Sequence, residues 1–138
     1  MKETNLVQDS LKLIRNKPNV IACQEVPILG RSVDIAYLSE EEELITVEFK
    51  LKDWKRALRQ AKDHMLAADF AYICMPYRTV TETMKSYLQE AGVGLLFYKQ
   101  EENWPFEEII KARKSSETWD IIRQETINYI RRNKRREI

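Results

Sequence analysis

Two strand-like runs, residues 32–38 and 44–50, lie on either side of a strongly acidic segment. That segment, residues 39–43, is one serine followed by four glutamates, which predicts a solvated turn. If the turn is centred on Glu41, the runs form an antiparallel hairpin in which paired residue numbers sum to 82. The apolar pairs then share one face: Val33 with Phe49, Ile35 with Val47, and Tyr37 with Ile45. This hairpin is the feature that most restricts the fold, because a slip of one residue would turn its apolar side chains to the other face.

The opposite face of the hairpin brings two carboxylates together. Asp34 faces Glu48, and directly opposite Cβ atoms in such a pair are about 4.5–5.5 Å apart. Because like charges at this separation repel, either one carboxyl keeps its proton or a cation lies between them. Mg²⁺ accepts carboxylate and backbone carbonyl oxygens, so Asp34, Glu48 and the carbonyl of Phe49 would supply three ligands. Lys50 would then lie beside the metal, an arrangement suited to metal-assisted hydrolysis of a phosphodiester.

The remaining segments predict an α/β fold around one mixed sheet. Helical spacing and end signals predict helices over residues 5–15, 53–67, 79–91 and 117–132. Further strands are predicted over residues 20–29, 70–75 and 93–98, whereas residues 100–116 give no clear assignment. The order α-β-β-β-α-β-α-β-α predicts an antiparallel meander of three strands followed by crossover connections. We therefore expect a single domain over residues 1–138, with a core over about 5–98 and a C-terminal helical extension over about 117–138.

The composition excludes several kinds of site. One His, two Cys and three Gly cannot assemble a zinc finger or a glycine-rich phosphate loop. Cys23 and Cys74 lie in apolar runs and are expected to be buried thiols in a reducing compartment. No apolar run reaches the roughly 18 residues of a membrane-spanning helix, and the N-terminus lacks a signal-peptide pattern. We therefore expect a cytoplasmic protein.

The hairpin motifs resemble those of the PD-(D/E)XK nuclease superfamily. The similar stretches are GRSVDIA at residues 30–36, VEFK at residues 47–50, and a following helix that carries Gln60. This resemblance covers about residues 5–75. It implies a restriction-endonuclease-like fold with an αβββαβ core, and cleavage of nucleic acid with Mg²⁺, for which Mn²⁺ is a substitute. It also implies that Asp34 and Glu48 are metal ligands and that Lys50 is the catalytic lysine.

The same resemblance suggests supporting residues. Many members carry another acidic residue upstream of the motif aspartate, and Glu25 is the best-placed candidate here. Some carry a glutamine in the following helix, often as Q-x-x-x-Y, so Gln60 would position Lys50 or the scissile phosphate. His64 stands where that pattern has tyrosine, and we expect a partly exposed helical histidine there rather than a catalyst. Stand-alone members this short often work as homodimers, which we carry over as an expectation only.

The formal net charge of +1 is the sum of opposed local clusters. Residues 50–62 contain six Lys or Arg and one Asp, and residues 111–138 contain nine Lys or Arg against four acids. Basic clusters beside a carboxylate site suit binding of a phosphate backbone. The candidates for this role are Arg31, Lys52, Arg56 and Arg59. The basic tail at residues 133–136 is equally consistent with a merely solvated segment.

Two classes of function therefore follow. The first is a Mg²⁺-dependent nuclease, with DNA favoured over RNA as its substrate. The second is a non-catalytic nucleic-acid-binding or accessory module that retains the fold, since a fold does not fix a function. In a third interpretation the E-x-K spacing is a coincidence in a structural protein, and Asp34 and Glu48 then face apart.

Trp54 and Trp119 are expected to be core aromatics.

Overall fold

The structure, a computed structural model, describes residues 2–99 and 103–134. Within them the elements are α1 (Glu3–Arg15), β1 (Ile21–Ile28), β2 (Arg31–Leu38), β3 (Leu44–Phe49), α2 (Trp54–His64), β4 (Phe70–Met75), α3 (Glu82–Ala91), β5 (Gly94–Tyr98), β6 (Phe106–Ile110) and α4 (Asp120–Asn133). The first six follow the order αβββαβ. The predicted α/β class is confirmed, with its restriction-endonuclease-like core, mixed sheet and C-terminal helix.

The strands form one sheet in the order β1-β2-β3-β4-β5-β6. Strands β1 to β3 are the predicted antiparallel meander, β3, β4 and β5 are parallel, and β6 pairs antiparallel with β5. Helix α1 buries its apolar side against one face of the sheet, in a cluster with Ile35, Val47 and Phe49. Helices α2 and α3 pack on the other face around Ile73 and Leu95, as expected of crossover helices. The carboxyl ends of β3 and β4 consequently meet at one edge of the sheet.

The hairpin has the predicted register over most of its length. Ile35 pairs with Val47 and Tyr37 with Ile45. The acidic turn closes on itself, because the N–H of Ser39 donates to the Glu43 carbonyl (2.9 Å) and the Ser39 hydroxyl accepts from the Glu43 N–H (3.1 Å). The alternation of apolar residues and the acidic turn therefore suffice to fix this register.

One apolar pair of the hairpin differs from the prediction. Val33 does not join the cluster of Ile35, but packs with Val26 and Ile28 in a separate cluster beneath α4. The reason is local, because the β2–β3 ladder ends at the pair of Ile35 and Val47 and does not continue to Val33.

The C-terminal part of the chain contains the largest differences. Strand β6 lies in the segment left unassigned, and only its end residues are buried, so it lacks the alternation that marks a strand. Trp119, predicted for the core, is 61% exposed because it is the N-cap residue outside α4. Trp54 is partly buried against the apolar cluster that α2 and α3 form around Ile73 and Leu95 (the α2–α3 cluster), close to the core position expected of it. Residues 135–138, which belong to the predicted helical extension and basic tail, lie outside the described residues.

Helix α4 is attached to the sheet through the buried carboxylate of Asp69. Its Oδ2 accepts from the N–H of Leu44 at 2.7 Å and from Nη2 of Arg123 at 2.9 Å. The same Nη2 also donates to the carbonyl of Glu42 at 3.1 Å. One arginine of α4 thus joins the start of β4 to the acidic turn.

Two simpler expectations can also be compared with the structure. Cys23 and Cys74 are free and buried, as predicted, and burial raises the pKa of both thiols. In the part of the chain that is described, no helix combines the length and the apolar character that crossing a bilayer requires.

Candidate active site

Asp34 lies where the pairing of β2 with β3 ends and its pairing with β1 is interrupted for one position. The β1–β2 ladder skips the position at which Glu25 would face Asp34. Glu25 has a φ of 50°, in the left-handed region, so β1 loses its extended conformation at this point. On the other side, the β2–β3 ladder ends at Ile35 and Val47. The backbone groups around Asp34 therefore form hydrogen bonds with side chains in place of a neighbouring strand.

Asp34 and Glu48 provide those partners for each other's strands. The N–H of Asp34 donates to Oε1 of Glu48 at 3.2 Å, and the N–H of Phe49 donates to Oδ2 of Asp34 at 2.8 Å. The two carboxylates predicted to meet are thus held together where β2 and β3 separate. The arrangement expected of a coincidental E-x-K, with the two side chains facing apart, is not found.

Burial and mutual repulsion favour a proton on this pair. The side chain of Glu48 is almost completely buried. Burial, and then the charge of Asp34, raise the pKa of Glu48 to about 8. Burial also raises the pKa of Asp34, although the Phe49 N–H and the Lys50 ammonium oppose that increase. Without a cation, the pair therefore keeps one proton near neutral pH, which is one of the two states that the sequence predicts.

Lys50 links this pair to the first turn of α1. Its Nζ lies 3.8 Å from Oε1 of Glu3, while Oε2 of Glu3 accepts from the N–H of Leu51 at 3.3 Å. The carboxylate of Glu3 also acts electrostatically on Asp34, whose pKa it raises. Glu3 is the acidic residue of this site that the sequence does not reveal. The only available signal is an acidic residue in the first turn of a helix that precedes the meander.

His64 lies behind Glu48, and Gln60 lies one turn earlier on the same side of α2. Nε2 of His64 is 4.0 Å from Oε1 of Glu48, and His64 is 2% exposed, so the expectation of a partly exposed histidine is wrong. The last turn of α2 packs against the sheet, which removes this residue from solvent. Burial lowers the pKa of His64 to about 4, so the contact is not an ion pair at neutral pH. Among the described residues, Oε1 of Gln60 and Nδ1 of His64 are buried without a hydrogen-bond partner.

Glu25 is exposed and lies at the rim of the site rather than within it. It lines a depression of about 210 Å³ together with Asp34, Glu3 and Gln24. Glu25, which the resemblance suggested, and Glu3, which only the fold reveals, therefore line the same depression.

The predicted nucleic-acid-binding residues lie on the surface around this edge of the sheet. Arg31, Lys52, Arg56 and Arg59 are all exposed. Arg31 lies 3.8 Å from the carboxylate of Asp63, with both side chains largely in solvent. Lys52 lies two residues after Lys50 and two before the start of α2, so basic residues lead from the carboxylates into this helix.

The donor set fits a hard divalent cation with few protein ligands. Among the described residues, no three His, Cys, Asp or Glu side chains are arranged to hold a metal ion. Asp34 and Glu48 would supply two oxygens, and the carbonyl of Phe49, water and substrate would complete the coordination. Mg²⁺ and Mn²⁺ take oxygen ligands, and Mg²⁺ keeps several waters, so this set suits them and not a structural zinc.

No known family profile and no curated protein matches the chain. Among solved structures, a protein of unknown function from Silicibacter pomeroyi superposes with a TM-score of 0.66, covering 96% of this chain and 86% of its own at 16% identity. An XisH family protein from Nostoc punctiforme gives a TM-score of 0.54 at 20% identity, covering 75% of this chain and 98% of its own. A repair endonuclease from Pyrococcus abyssi gives only 0.42 at 19% identity, covering 72% of this chain and 45% of its own.

The first two similarities show a shared fold and say nothing of activity, and the third is too weak to carry an argument. Fold and site together define a restriction-endonuclease-like α/β domain. A carboxylate pair, of which Glu48 is buried and Asp34 partly exposed, lies at the carboxyl end of its third strand, with a lysine and an additional glutamate beside it.

Proposed function

We propose that this protein is a metal-dependent nuclease that hydrolyses phosphodiester bonds in nucleic acid, with DNA as its main substrate. The observation that carries the proposal is the contact of Asp34 with Glu48 beside Lys50. A structural role alone does not account for the buried carboxylate of Glu48 held against that of Asp34, because burial and their repulsion favour a proton on the pair. Divalent cation binding accounts for it, because the cation takes the place of that proton.

In this proposal Asp34, Glu48 and the carbonyl of Phe49 hold Mg²⁺. The bound metal lowers the pKa of a water molecule and neutralises charge that develops on the phosphate. The reciprocal backbone hydrogen bonds of Asp34 and Glu48 keep both side chains oriented before the metal binds. This preorganisation reduces the rearrangement that metal binding requires.

Lys50 orients the attacking water or stabilises charge on the phosphate. Glu3 acts as a positioning residue, since it contacts the Lys50 ammonium from α1 and keeps the side chain at the site. Gln60 has a buried acceptor oxygen with no partner among the described residues, which is consistent with positioning a water or Lys50. Glu25 at the rim would contribute through water.

The exposed basic side chains would bind the phosphate backbone on either side of the scissile bond. Arg31, Lys52, Arg56 and Arg59 supply this charge in the proposal. A homodimer would present two such sites to two strands.

The test is cleavage of supercoiled plasmid, branched DNA, single-stranded DNA and RNA, with Mg²⁺, with Mn²⁺, or with a chelator. We expect cleavage that requires metal and is lost in Asp34→Asn, Glu48→Gln and Lys50→Ala. The matched controls are Asp63→Asn and Lys55→Ala, an exposed carboxylate and an exposed ammonium on the nearby helix, which should remain active. Cleavage that survives all three site substitutions would contradict the assigned site.

A non-catalytic binding module is the second candidate. The observation in its favour is the small number of carboxylate and imidazole ligands, since no group of three is found among the described residues. This candidate predicts metal-independent binding of nucleic acid without cleavage of any of the four substrates. It also predicts that Lys50→Ala affects affinity no more than the Lys55→Ala control does.

A further inference from the structure

Tyr77 is the most exposed large apolar side chain among the described residues, at 84%. It belongs to the short segment that follows β4 and precedes α3. An aromatic ring in water contributes little to folding, so its exposure needs another explanation. Its location provides one.

Tyr77 follows β4 at the same edge of the sheet as the candidate active site. Phe49 pairs with Cys74, and the N–H of Lys50 donates to the carbonyl of Cys74 at 3.1 Å. Tyr77 is three residues beyond Cys74, which limits its distance from that carbonyl to about 10 Å along the chain. The next residue, Arg78, contacts the segment after Lys50, since its Nη1 donates to the carbonyl of Lys52 at 3.5 Å.

The Tyr77 ring is supported as well as exposed. It packs against Phe97 in β5, with the ring centroids 5.6 Å apart and the planes at 65°. Phe97 is buried in the α2–α3 cluster and so provides a rigid support. A ring that is held from the core but lies mostly in solvent is available to stack on another flat group.

The charges around Tyr77 favour an anionic partner. Lys52 lies just before α2, and Arg78 contacts the carbonyl of Lys52. The carboxylate of Asp53 is engaged as the N-cap of α2, where it accepts from the N–H of Arg56 at 3.1 Å. Glu82, in the first turn of α3, is the nearest acidic residue along the chain on the other side. The local balance is therefore positive around an exposed aromatic ring.

We propose that Tyr77 and Arg78 form a binding site for an unpaired nucleotide beside the cleavage site. The base stacks on Tyr77, and its phosphate pairs with Arg78 and Lys52. Bases within an intact duplex already have both faces covered by their neighbours, so the site selects single-stranded nucleic acid or a junction with unpaired bases. This inference rests on the proposed function, because it names the substrate class of the same site.

Binding measured without cleavage separates the two claims. In a Glu48→Gln background without metal, fluorescence anisotropy compares a single-stranded oligonucleotide with a blunt-ended duplex of that oligonucleotide and its complement. We expect Tyr77→Ala to weaken single-strand binding about fivefold or more, as loss of one stacked base does. Tyr77→Phe, which keeps the ring, should stay within about twofold, and Tyr77→Ala should leave duplex binding within about twofold. The matched control is Ile121→Ala, another exposed apolar side chain, which should have no effect.

A second readout reports stacking directly. An oligonucleotide that contains 2-aminopurine should lose fluorescence on binding, and the loss should disappear in Tyr77→Ala and persist in Tyr77→Phe. The inference is overturned if Tyr77→Ala binds the single strand normally, if duplex binding falls equally, or if no single-strand binding occurs. It is also overturned if the substitution instead changes the sedimentation coefficient, which would indicate that Tyr77 contacts a second copy of the chain. Absence of cleavage in the wild-type protein would refute the proposed function and leave this binding result standing.

Discussion

The backbone N–H of Asp34 donates a hydrogen bond of 3.2 Å to the carboxylate of Glu48, across the point where their two strands stop pairing. Each carboxylate thus replaces a backbone partner of the opposite strand, since Asp34 in turn accepts from the N–H of Phe49. The sheet is interrupted at the position where two negative charges meet. This one relationship determines the protonation, the stability and the proposed chemistry of the site.

Glu48 makes the metal-free protein less stable as the pH rises. Its pKa is about 8 in the folded chain against an ordinary value of 4.5, so its stabilising effect is complete below 4.5 and is lost as pH rises through 8. We expect the free energy of unfolding in urea with a chelator to fall between pH 6.5 and 8.5. The slope is at most about 1.4 kcal/mol per pH unit.

Glu48→Gln removes the titrating group and should flatten that dependence. Added Mn²⁺ should raise the stability of the wild type at pH 8 and leave the variant nearly unchanged, because binding to the folded state alone stabilises it. A wild-type slope equal to that of the variant would show that Glu48 does not hold a proton in the folded protein.

His64, in contrast to Glu48, makes the protein less stable as the pH falls. Burial lowers its pKa from 6.5 to about 4, so its contribution is complete above 6.5 and is lost as pH falls through 4. In the wild type this trend overlaps that of Glu48 and the two partly cancel. We therefore expect the Glu48→Gln variant to lose stability between pH 6.5 and 4, and the double variant with His64→Asn to lose less. Equal acid sensitivity in the two proteins would place the responsible group elsewhere.

Glu3 should affect the rate of cleavage through Lys50. Lys50→Ala removes the ammonium and should lower kcat about 10²- to 10³-fold. Glu3→Gln keeps the side-chain shape and loses the charge, so we expect a fall in kcat of about 3- to 10-fold with KM unchanged. In Glu3→Gln the pH profile of kcat should also shift, because the charge of Glu3 raises the pKa of Asp34. An unaltered profile together with a lower melting temperature would indicate a purely structural role.

Arg123 should stabilise the fold without affecting chemistry. It pairs with the buried carboxylate of Asp69, and Arg123→Ala leaves that charge with the Leu44 N–H as its remaining partner. Since the guanidinium is partly exposed, we expect a loss of about 1–3 kcal/mol in the free energy of unfolding. The control is Arg132→Ala, an exposed arginine of the same helix, which should have little effect. Equal losses in both variants would contradict the attachment of α4 through Asp69.

The sequence predicts the hairpin because its signals are local. Alternating apolar residues and an acidic turn fix the register, and the register brings Asp34 to Glu48. Helix-end signals are likewise local: the predicted start at residue 53 and the predicted end at residue 91 match the N-cap Asp53 of α2 and the C-cap Gly92 of α3.

The structure differs from the sequence-based prediction where tertiary packing sets the position of a residue or strand. Glu3 reaches the site only because α1 packs across β1, β2 and β3, and nothing near it in sequence indicates Lys50 as its partner. His64 is buried because the end of α2 packs on Glu48. Strand β6 is defined by its pairing with β5, since its own burial pattern has no alternation.

The position of a bound metal tests the central claim most directly. Crystals grown with Mn²⁺, examined by anomalous scattering at the manganese edge, should show one strong peak between the carboxylates of Asp34 and Glu48. The peak should be within about 2.0–2.3 Å of oxygens from both side chains and the Phe49 carbonyl. It should be absent in crystals of Asp34→Asn. A saturated Mn²⁺ soak with no peak at this pair, or a peak held by other residues, would contradict the account.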